Sequence, residues 1–291
     1  MFVEILRKSL RGRKAEAIPW IYQLADGIAS SLISFASRND SNMISIKTKQ
    51  EIEIMRQAGK ILAQIMQQIK KQVKPAITTK SLDKLAEELI FKSGAEPAFK
   101  GYQGYPAVLC TSVNNEIVHA LPSERVLKQG DIIGLDLGIL YQGYYSDMAI
   151  TVAVGNIDPE ASRLIRVAKK ALKRAIKRVK PGKTTGDIGN AIEKYVESQG
   201  FSVIKELCGH GIGKQLHEQP EILNFGQRHK GAELKPNMVL ALEPMINIGD
   251  WKIKKSADGF GFETADGSLS AHFEHTVAVT EKEAFILTEI K

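Results

Sequence analysis

The chain has 291 residues, of which 43% are hydrophobic and 25% charged, and its net charge is +7 at pH 7. These proportions are typical of a globular protein and exclude collagen-like, coiled-coil and wholly disordered chains. The sequence contains no uninterrupted apolar stretch long enough to suggest a transmembrane helix. The two cysteines, Cys110 and Cys208, are too few for a disulfide framework and favour a reducing compartment, so we expect a cytoplasmic protein without membrane contact.

The first 41 residues differ in character from the rest of the chain. Five basic residues lie between positions 7 and 14, and a Ser- and Ala-rich apolar stretch follows over residues 27–36. A targeting leader has a similar composition, but acidic residues interrupt the pattern and no small-residue cleavage site follows a clean apolar run. We favour a loosely attached, poorly ordered N-terminal extension over residues 1–41, followed by a main domain over residues 42–291.

Two pairs of amphipathic helices are predicted in the main domain. Apolar residues recur with helical spacing over residues 54–69 and 82–91, and again over residues 164–176 and 188–196. The helices of each pair are joined by similar segments, Lys74–Thr79 and Lys180–Thr185. Gly94 and Gly200 follow the second helix of each pair and are expected to end it, because glycine accepts the left-handed backbone at a helix end.

Matching strands follow each helix pair. Residues 127–136 resemble residues 234–243, so the sequence repeats itself beyond the helices. The segment Tyr141–Tyr144 predicts a tight hairpin, which favours antiparallel sheet over βαβ units. The sequence therefore predicts an α+β fold of two pseudo-symmetric halves, roughly residues 50–154 and 158–280, each with a helix pair and an antiparallel sheet.

The repeat aligns four acidic residues in two pairs. Asp136 matches Glu243 and Asp147 matches Glu274, and each lies in or beside an apolar strand. If the halves pack about a pseudo-two-fold axis, the four carboxylates converge on it and repel one another by several kcal/mol unless cations neutralise them. Two divalent metal ions carry the matching charge, so the sequence predicts a dinuclear metal site between the halves.

A histidine between glycines is a candidate fifth ligand. His210 lies in the segment Cys208–Gly213, where the glycines let neighbouring backbone approach closely. One imidazole with several carboxylates is a ligand set for Mn²⁺, Fe²⁺, Co²⁺ or Zn²⁺ rather than for copper. Paired ions of this kind activate water for hydrolysis, so we expect a metal-dependent hydrolase.

Further segments share the spacing of one known family. They are Ser112–Asn114, Val118–His119, Gly130–Ile133 with Asp136, Gly143 with Asp147, Cys208–Gly213, His217–Pro220, Leu242–Met245 and Ser268–Thr276. In combination they resemble the type I methionine aminopeptidases, a family with the pita-bread fold, over residues 43–291. The resemblance implies removal of the initiator methionine from nascent proteins and peptides with a small second residue.

The resemblance also implies a role for each candidate site residue. It assigns the two metal ions to Asp136, Asp147, His210, Glu243 and Glu274, with Asp147 and Glu274 bridging both ions. Glu243 is further implied as the proton shuttle, because it can take a proton while it stays beside the attacking water. His119 and His217 correspond to two catalytic histidines that bind substrate without ligating metal, one at the substrate amide and one at the carbonyl oxygen.

A methionine pocket and a monovalent cation site are implied in the same way. The pocket residues are Tyr102, Tyr105, Cys110, His119, Leu216 and Phe260, and a narrow slot with aromatic edges suits an unbranched thioether. Asn114 and Ser270 match positions where the family often binds a monovalent cation. Four positions differ from common family members. Phe99 lies where the family often has cysteine, Leu216 where it often has an aromatic residue, Phe260 where it often has tryptophan and His272 where glutamine is common. These departures bear on pocket dimensions rather than on the class of reaction.

The third predicted helix begins a strongly basic segment. Residues 163–183 contain ten Lys and Arg residues and no Asp or Glu, and an apolar stripe from Leu164 to Val179 directs the cations to one solvent face. Such a face is most often simply the solvent-exposed side of a helix, but this excess of positive charge also suits contact with ribosomal RNA. We expect a monomer that acts on nascent polypeptide N-termini and contacts the ribosome through the basic helix 163–183.

Two other functions fit parts of the sequence. A proline-directed aminopeptidase or prolidase would share the fold, but such enzymes usually carry a large additional N-terminal domain, which 41 residues cannot form. A non-catalytic relative that binds the ribosome or nucleic acid would be expected to lack metal ligands, and all five are present. Cleavage of Met-Ala, Met-Pro and Xaa-Pro peptides, with and without chelator, distinguishes these alternatives.

Overall fold

The computed structural model describes residues 43–290, so the predicted extension over residues 1–41 lies outside the described residues. The helices in this range are α1 (Lys49–Gln72), α2 (Thr79–Lys92), α3 (Pro159–Ile176) and α4 (Thr185–Ser198). The strands are β1 (Glu96–Pro97), β2 (Leu109–Val113), β3 (Glu116–Val118), β4 (Ile132–Tyr141), β5 (Tyr144–Ala153), β6 (Ser202–Val203), β7 (Cys208–Gly211), β8 (Glu218–Leu223), β9 (Val239–Leu242), β10 (Met245–Asn247), β11 (Ile253–Lys255), β12 (Phe262–Thr264), β13 (Ser270–His272), β14 (His275–Val279) and β15 (Ala284–Ile286). Within residues 43–290, no helix has the length and apolar character needed to cross a membrane.

Each helix begins where a side chain caps its first turn. The capping residues Thr48, Thr78, Asp158 and Thr184 accept a hydrogen bond from a backbone N–H of the turn that follows. Gly94 and Gly200 follow α2 and α4 with φ angles of 75° and 76°, as predicted for helix ends. α3 ends at Ile176, so the basic segment 163–183 continues past the helix into a turn with Pro181, a residue that cannot extend a helix.

The sequence repeat appears as matching hydrogen bonds in the two halves. The linkers within the helix pairs turn through Ala76 and Gly182, which both have a positive φ, of 72° and 76°. The Ala76 N–H donates to the Leu127 carbonyl at 2.9 Å, and the Gly182 N–H donates to the Leu234 carbonyl at 3.1 Å. The two halves therefore share one local fold.

The described strands pair in antiparallel fashion. β4 and β5 pair along their full length across the two-residue turn Gln142–Gly143, where both residues have a positive φ, as tight hairpins require. In the first half, β4 also pairs with β1 and β2, and the second half has the strand order β15-β14-β9-β7-β8. Two further sheets have three strands each, in the orders β13-β10-β6 and β11-β12-β3.

Each half has its own apolar core. Leu62 of α1 and Leu82 of α2 are fully buried in a cluster with strand residues of β4. Leu164 of α3 and Ile188 of α4 are fully buried in a second cluster with strand residues of β9. Burial of an aliphatic side chain of this size stabilises a fold by about 1.5–3 kcal/mol, so each helix pair is held to its own sheet. The predicted α+β fold of two helix-and-antiparallel-sheet halves is confirmed, while the domain bounds stay a prediction.

Candidate metal centre

The paired strands of each half place two carboxylates on one face. In the β4–β5 hairpin, Asp136 lies opposite Ala149 and Asp147 lies opposite Gly138. Because side chains alternate between faces along a strand, Asp136 and Asp147 share a face. In the second half, Glu243 directly follows β9 and Glu274 directly precedes β14, and these two strands are paired. The repeat thus supplies an acidic pair from each half.

His210, in β7, lies beside these acidic residues. It is paired with Ala241 of β9, two residues before Glu243, and its Nε2 lies 3.6 Å from Glu243 Oε1. Its Nδ1 lies 2.9 Å from the Gly211 carbonyl, and because a carbonyl can only accept, Nδ1 carries a proton and Nε2 is the nitrogen that faces the acidic residues. A Cβ on Gly209 would lie 2.4 Å from the Ala241 carbonyl oxygen, so this close strand approach requires glycine.

Two threonines hold the halves together beside the acidic residues. Thr276 Oγ1 of β14 accepts a hydrogen bond from the Asp147 N–H at 3.0 Å and donates to the Asp147 carbonyl at 2.7 Å. Thr151 Oγ1 of β5 makes the same reciprocal pair with the backbone of His272, at 2.9 Å in each direction. Sequence reasoning missed both threonines. The signal available was a polar, β-branched residue two positions after Glu274, on the same strand face.

The ligand atoms converge in the described structure. One atom each of the buried residues Asp147, His210 and Glu274 lies within 4.8 Å of the others. Asp136 Oδ1, Asp147 Oδ1 and Glu274 Oε1 are buried and have no hydrogen-bond partner among the described residues. Buried oxygens that lack donors are costly unless a cation binds them, so this donor set fits divalent metal ions.

The electrostatics of the acidic cluster favour the same interpretation. Burial raises the pKa of Asp136, Asp147, Glu243 and Glu274 above the ordinary carboxyl range. Repulsion from neighbouring carboxylates raises the pKa of Asp136, Asp147 and Glu274 further. A site that resists its own ionisation in this way is stabilised by bound positive charge.

His272 lies on the other side of Glu243. Its Nε2 is 3.4 Å from Glu243 Oε2, while His210 faces Oε1, so each carboxylate oxygen has an imidazole neighbour. Burial lowers the pKa of His272 to about 3, so the ring is neutral. The sequence marked His272 only as a departure from glutamine, and the structure places it against the predicted proton shuttle.

The two predicted catalytic histidines occupy different settings. His217 follows the loop after β7, with its Nδ1 2.7 Å from the Tyr102 hydroxyl and its ring centroid 4.4 Å from that of His210. His119 follows β3, exposes its side chain and has a φ of 59°. This left-handed conformation is strained by roughly 1–3 kcal/mol for a residue other than glycine, and such strain clusters at functional sites.

Five of the six predicted pocket residues meet in one apolar cluster, and the sixth, His119, is not part of it. Tyr105, Cys110 and Leu216 are buried in the cluster, and Tyr102 and Phe260 pack against it. Tyr105 meets Phe260 edge to face with ring centroids 5.6 Å apart. Phe99 lies in the same cluster. A Cβ on Gly138 would lie 2.7 Å from the Phe99 ring, so this glycine makes room for phenylalanine at a position where the family often has cysteine.

The candidate monovalent cation residues adjoin each other. The Ser270 N–H donates to the Asn114 carbonyl at 2.9 Å. The Asn114 side chain bridges Asp131 and the backbone of Ile132, and Ser270 Oγ donates to the Ile246 carbonyl. Their side-chain groups are therefore engaged within the protein.

Comparison with known proteins places these features in a family. Residues 53–281 match the model of metallopeptidase family M24. A methionine aminopeptidase of Clostridium perfringens is 47% identical over 249 residues, which are 86% of this chain and 100% of the relative. A solved methionine aminopeptidase of Thermotoga maritima has a TM-score of 0.84 and 45% identity, and the match covers 85% of this chain and 100% of that chain. A prolidase of Pyrococcus furiosus has a TM-score of 0.69 and 26% identity, and the match covers 84% of this chain and 66% of the prolidase. The predicted pita-bread fold is thus confirmed.

Proposed function

The chain belongs to metallopeptidase family M24, and within it we propose that the protein is a methionine aminopeptidase that removes the initiator methionine from nascent polypeptides with a small second residue. The observation that carries this proposal is the convergence of acidic residues from both halves around His210. The apolar cluster that contains the predicted methionine pocket lies beside this centre, since Cys110 of the cluster is paired with Asp136. A nearby apolar slot and a hydrolytic centre are what release of a terminal methionine needs.

Five side chains are suited to hold the divalent metal ions. They are Asp136, Asp147, His210, Glu243 and Glu274, and their oxygen-rich character suits Mn²⁺, Fe²⁺, Co²⁺ or Zn²⁺. When bound, such ions polarise the scissile carbonyl and lower the pKa of water. Asn114, in the turn after β2, and Ser270, in β13, are suited to hold a monovalent cation where their backbones meet.

The chain's own residues handle the protons and the developing charge. Glu243 takes the proton of the attacking water and passes it to the leaving amine, and its two carboxylate oxygens are held beside the imidazoles of His210 and His272. The Tyr102 hydroxyl lies 2.7 Å from His217 Nδ1 and orients the ring, and His217 donates a hydrogen bond to the substrate. His119, exposed and held in a strained backbone conformation, supplies the second polar contact to the substrate.

The assay compares substrates with and without metal. The full chain, loaded with Co²⁺ or Mn²⁺, is expected to release methionine from Met-Ala-Ser and to lose this activity when a chelator strips the metal. His210→Ala and Glu243→Gln should abolish turnover while the melting temperature shows a folded protein. Activity that survives complete chelation would refute a metal-dependent hydrolase, and preferential cleavage of Ala-Pro over Met-Ala-Ser would favour the prolidase alternative.

We also propose that the basic segment 163–183 contacts ribosomal RNA. Several of its cations are used within the protein: Arg163 donates to the Gln199 carbonyl, and Arg174 lies over the Tyr195 ring at 4.4 Å. Lys169, Lys173, Lys177 and Lys180 are exposed. Their charges suit phosphate groups, and the proposed substrate emerges from the ribosome. Contact of this kind needs no second copy of the chain, in keeping with the predicted monomer.

Ribosome co-sedimentation tests this contact. The double variant Lys173→Glu/Lys177→Glu should bind ribosomes much more weakly, and each lost phosphate contact should reduce the slope of log affinity against log salt by about 0.7–0.9. Cleavage of Met-Ala-Ser should stay normal. Lys60→Glu/Lys71→Glu on the exposed face of α1 makes the same charge change and serves as the control. Equal binding by the test variant and the wild type would contradict the RNA contact and leave the peptidase proposal intact.

A further inference from the structure

A buried ion pair fastens the loop that carries His217. The histidine loop, residues 212–217, joins β7 to β8 and ends at His217, which directly precedes Glu218. Lys47 Nζ lies 2.6 Å from Glu218 Oε2, and the two side chains are 3% and 12% exposed. Lys47 lies just before α1 and is separated from Glu218 by 171 positions in sequence. A distant segment therefore contacts the residue next to a candidate catalytic side chain.

Both partners of the ion pair are themselves anchored. The Lys47 N–H donates to the Asn237 carbonyl at 2.9 Å, which fixes the lysine backbone against the turn before β9. Glu218 Oε1 accepts the N–H of Gln215 at 3.1 Å, so the same carboxylate also closes the histidine loop on itself. The ion pair thus joins two fixed backbone segments rather than two freely rotating side chains.

Gly213 makes room for this pair. A Cβ at this position would lie 2.5 Å from Lys47 Cε and 2.7 Å from Glu218 Oε1. A side chain at Gly213 would therefore displace the ion pair, so the last glycine of the segment Cys208–Gly213 makes space for this pair. This contact links the glycine-rich histidine segment to Lys47.

The other contacts that hold the loop differ in strength. The Tyr145 N–H donates to the Gly213 carbonyl at 2.8 Å, which fixes the start of the loop. Lys214 lies 3.5 Å from Glu51, but its side chain is 71% exposed, so water screens this pair. Near the end of the loop, the Lys47–Glu218 pair is shielded from solvent, and loss of one partner leaves a buried charge without compensation.

We propose that Lys47 is a positioning residue for His217. Through Glu218 it fixes the end of the histidine loop, so that the His217 ring keeps its contact with Tyr102 and points at the substrate. This inference rests on the proposed function, in which His217 donates a hydrogen bond to the substrate. A displacement of about 1 Å in such a donor can cost up to about a hundredfold in rate, so Lys47 would act on the reaction through His217.

Three variants of the full chain test the proposal. Lys47→Met keeps a long unbranched side chain and removes the charge, and Glu218→Gln removes the opposite charge. The double variant Lys47→Met/Glu218→Gln removes both charges and leaves neither unpaired. Lys80→Met is the matched control, because Lys80 and Glu124 also lie 2.6 Å apart but are exposed and far along the chain from the histidine loop.

We expect the three variants to lose kcat whether or not their thermal stability is lowered. Each single variant should melt at a lower temperature and lose about tenfold or more in kcat on Met-Ala-Ser, with KM and bound metal per chain changed less than about twofold. The double variant should regain thermal stability but keep the low kcat. Long-range ¹H–¹⁵N spectra of histidine-labelled protein, which contains six histidines, should show a shifted His217 Nδ1 in all three. Lys80→Met should match the wild type throughout.

Two results would overturn the inference. One is a double variant whose kcat returns to the wild-type value together with its stability, since this would show that Lys47 only stabilises the fold. The other is an unchanged His217 ring signal in Lys47→Met. A wild-type protein that releases no methionine at all would instead contradict the proposed function, and the ring signal would still report on the positioning.

Discussion

The acidic cluster predicts that a loss of charge stabilises the protein when it holds no metal. Asp147→Asn keeps the shape of the side chain and an acceptor for the Met148 N–H, but it removes one of four buried charges. In chelator at pH 8, this variant is expected to unfold at a higher temperature than the wild type. With saturating metal the order should reverse, because the variant has lost a ligand charge.

The expected magnitude follows from the geometry. Ligand atoms of Asp147 and Glu274 lie within 4.8 Å of each other, and two like charges at that separation repel by about 3.5 kcal/mol at an effective dielectric constant of about 20. Proton uptake relieves part of this repulsion. We therefore expect a gain of about 2–3 kcal/mol at pH 8, or about 4–12 °C in melting temperature.

The pH dependence has a definite sign. Burial and repulsion raise the pKa of Asp147 in the folded state above its value in the unfolded chain. The contribution of this carboxyl to stability is therefore fully present below the unfolded pKa, near 4, and is lost as the pH rises through the folded pKa. The chelated wild type should melt lower at pH 8 than at pH 5, and Asp147→Asn should depend less on pH.

Thermal unfolding in chelator and in excess metal at pH 5 and pH 8 provides the measurement. Metal at about a hundredfold excess over Kd should stabilise the wild type by about 2.7 kcal/mol and the variant by less. Glu197→Gln removes an exposed acidic charge on α4 and should change none of these values appreciably. A chelated Asp147→Asn protein that melts at or below the wild type at pH 8 would refute the reasoning that the four carboxylates repel one another.

Three further predictions concern Thr276, the helix-capping contact of Glu51 and the N-terminal extension. Thr276→Val removes both hydrogen bonds to the Asp147 backbone and should lower the free energy of unfolding by about 2–4 kcal/mol and weaken metal binding, as measured by denaturant unfolding and metal titration. Unchanged values would show that these two hydrogen bonds are dispensable. Hydrogen bonds from Thr48 and Tyr144 lower the pKa of Glu51 to about 2. The contribution of Glu51 to stability is therefore present above the ordinary carboxyl pKa and is lost as the pH falls towards 2. The difference in stability between the wild type and Glu51→Gln should shrink over that range, and a constant difference would contradict this. A chain that begins at Asn42 should fold and cleave Met-Ala-Ser with unchanged kinetics, and a loss of activity would show that residues 1–41 support the main domain.

The sequence by itself determined the features that depend on local spacing. Helical periodicity located four helices, and Gln142–Gly143 marked the hairpin because both residues accept a positive φ. The repeat was decisive for the metal centre: it aligned Asp136 with Glu243, and symmetric positions in two copies of one fold converge on the axis between them. The chemistry of the centre was readable because a cluster of buried acids has few uses other than binding cations.

Only the tertiary structure decided which side chains support that centre. Thr276 holds the backbone of Asp147 across 129 positions, and Lys47 reaches Glu218 across 171. Neither pair leaves a periodic signal, because each depends on how one half of the fold packs on another segment. The place of His272 against Glu243 was decided in the same way, since a single substitution in a strand does not reveal which side chain it faces. Such contacts are fixed by packing at distances in sequence that no local pattern records.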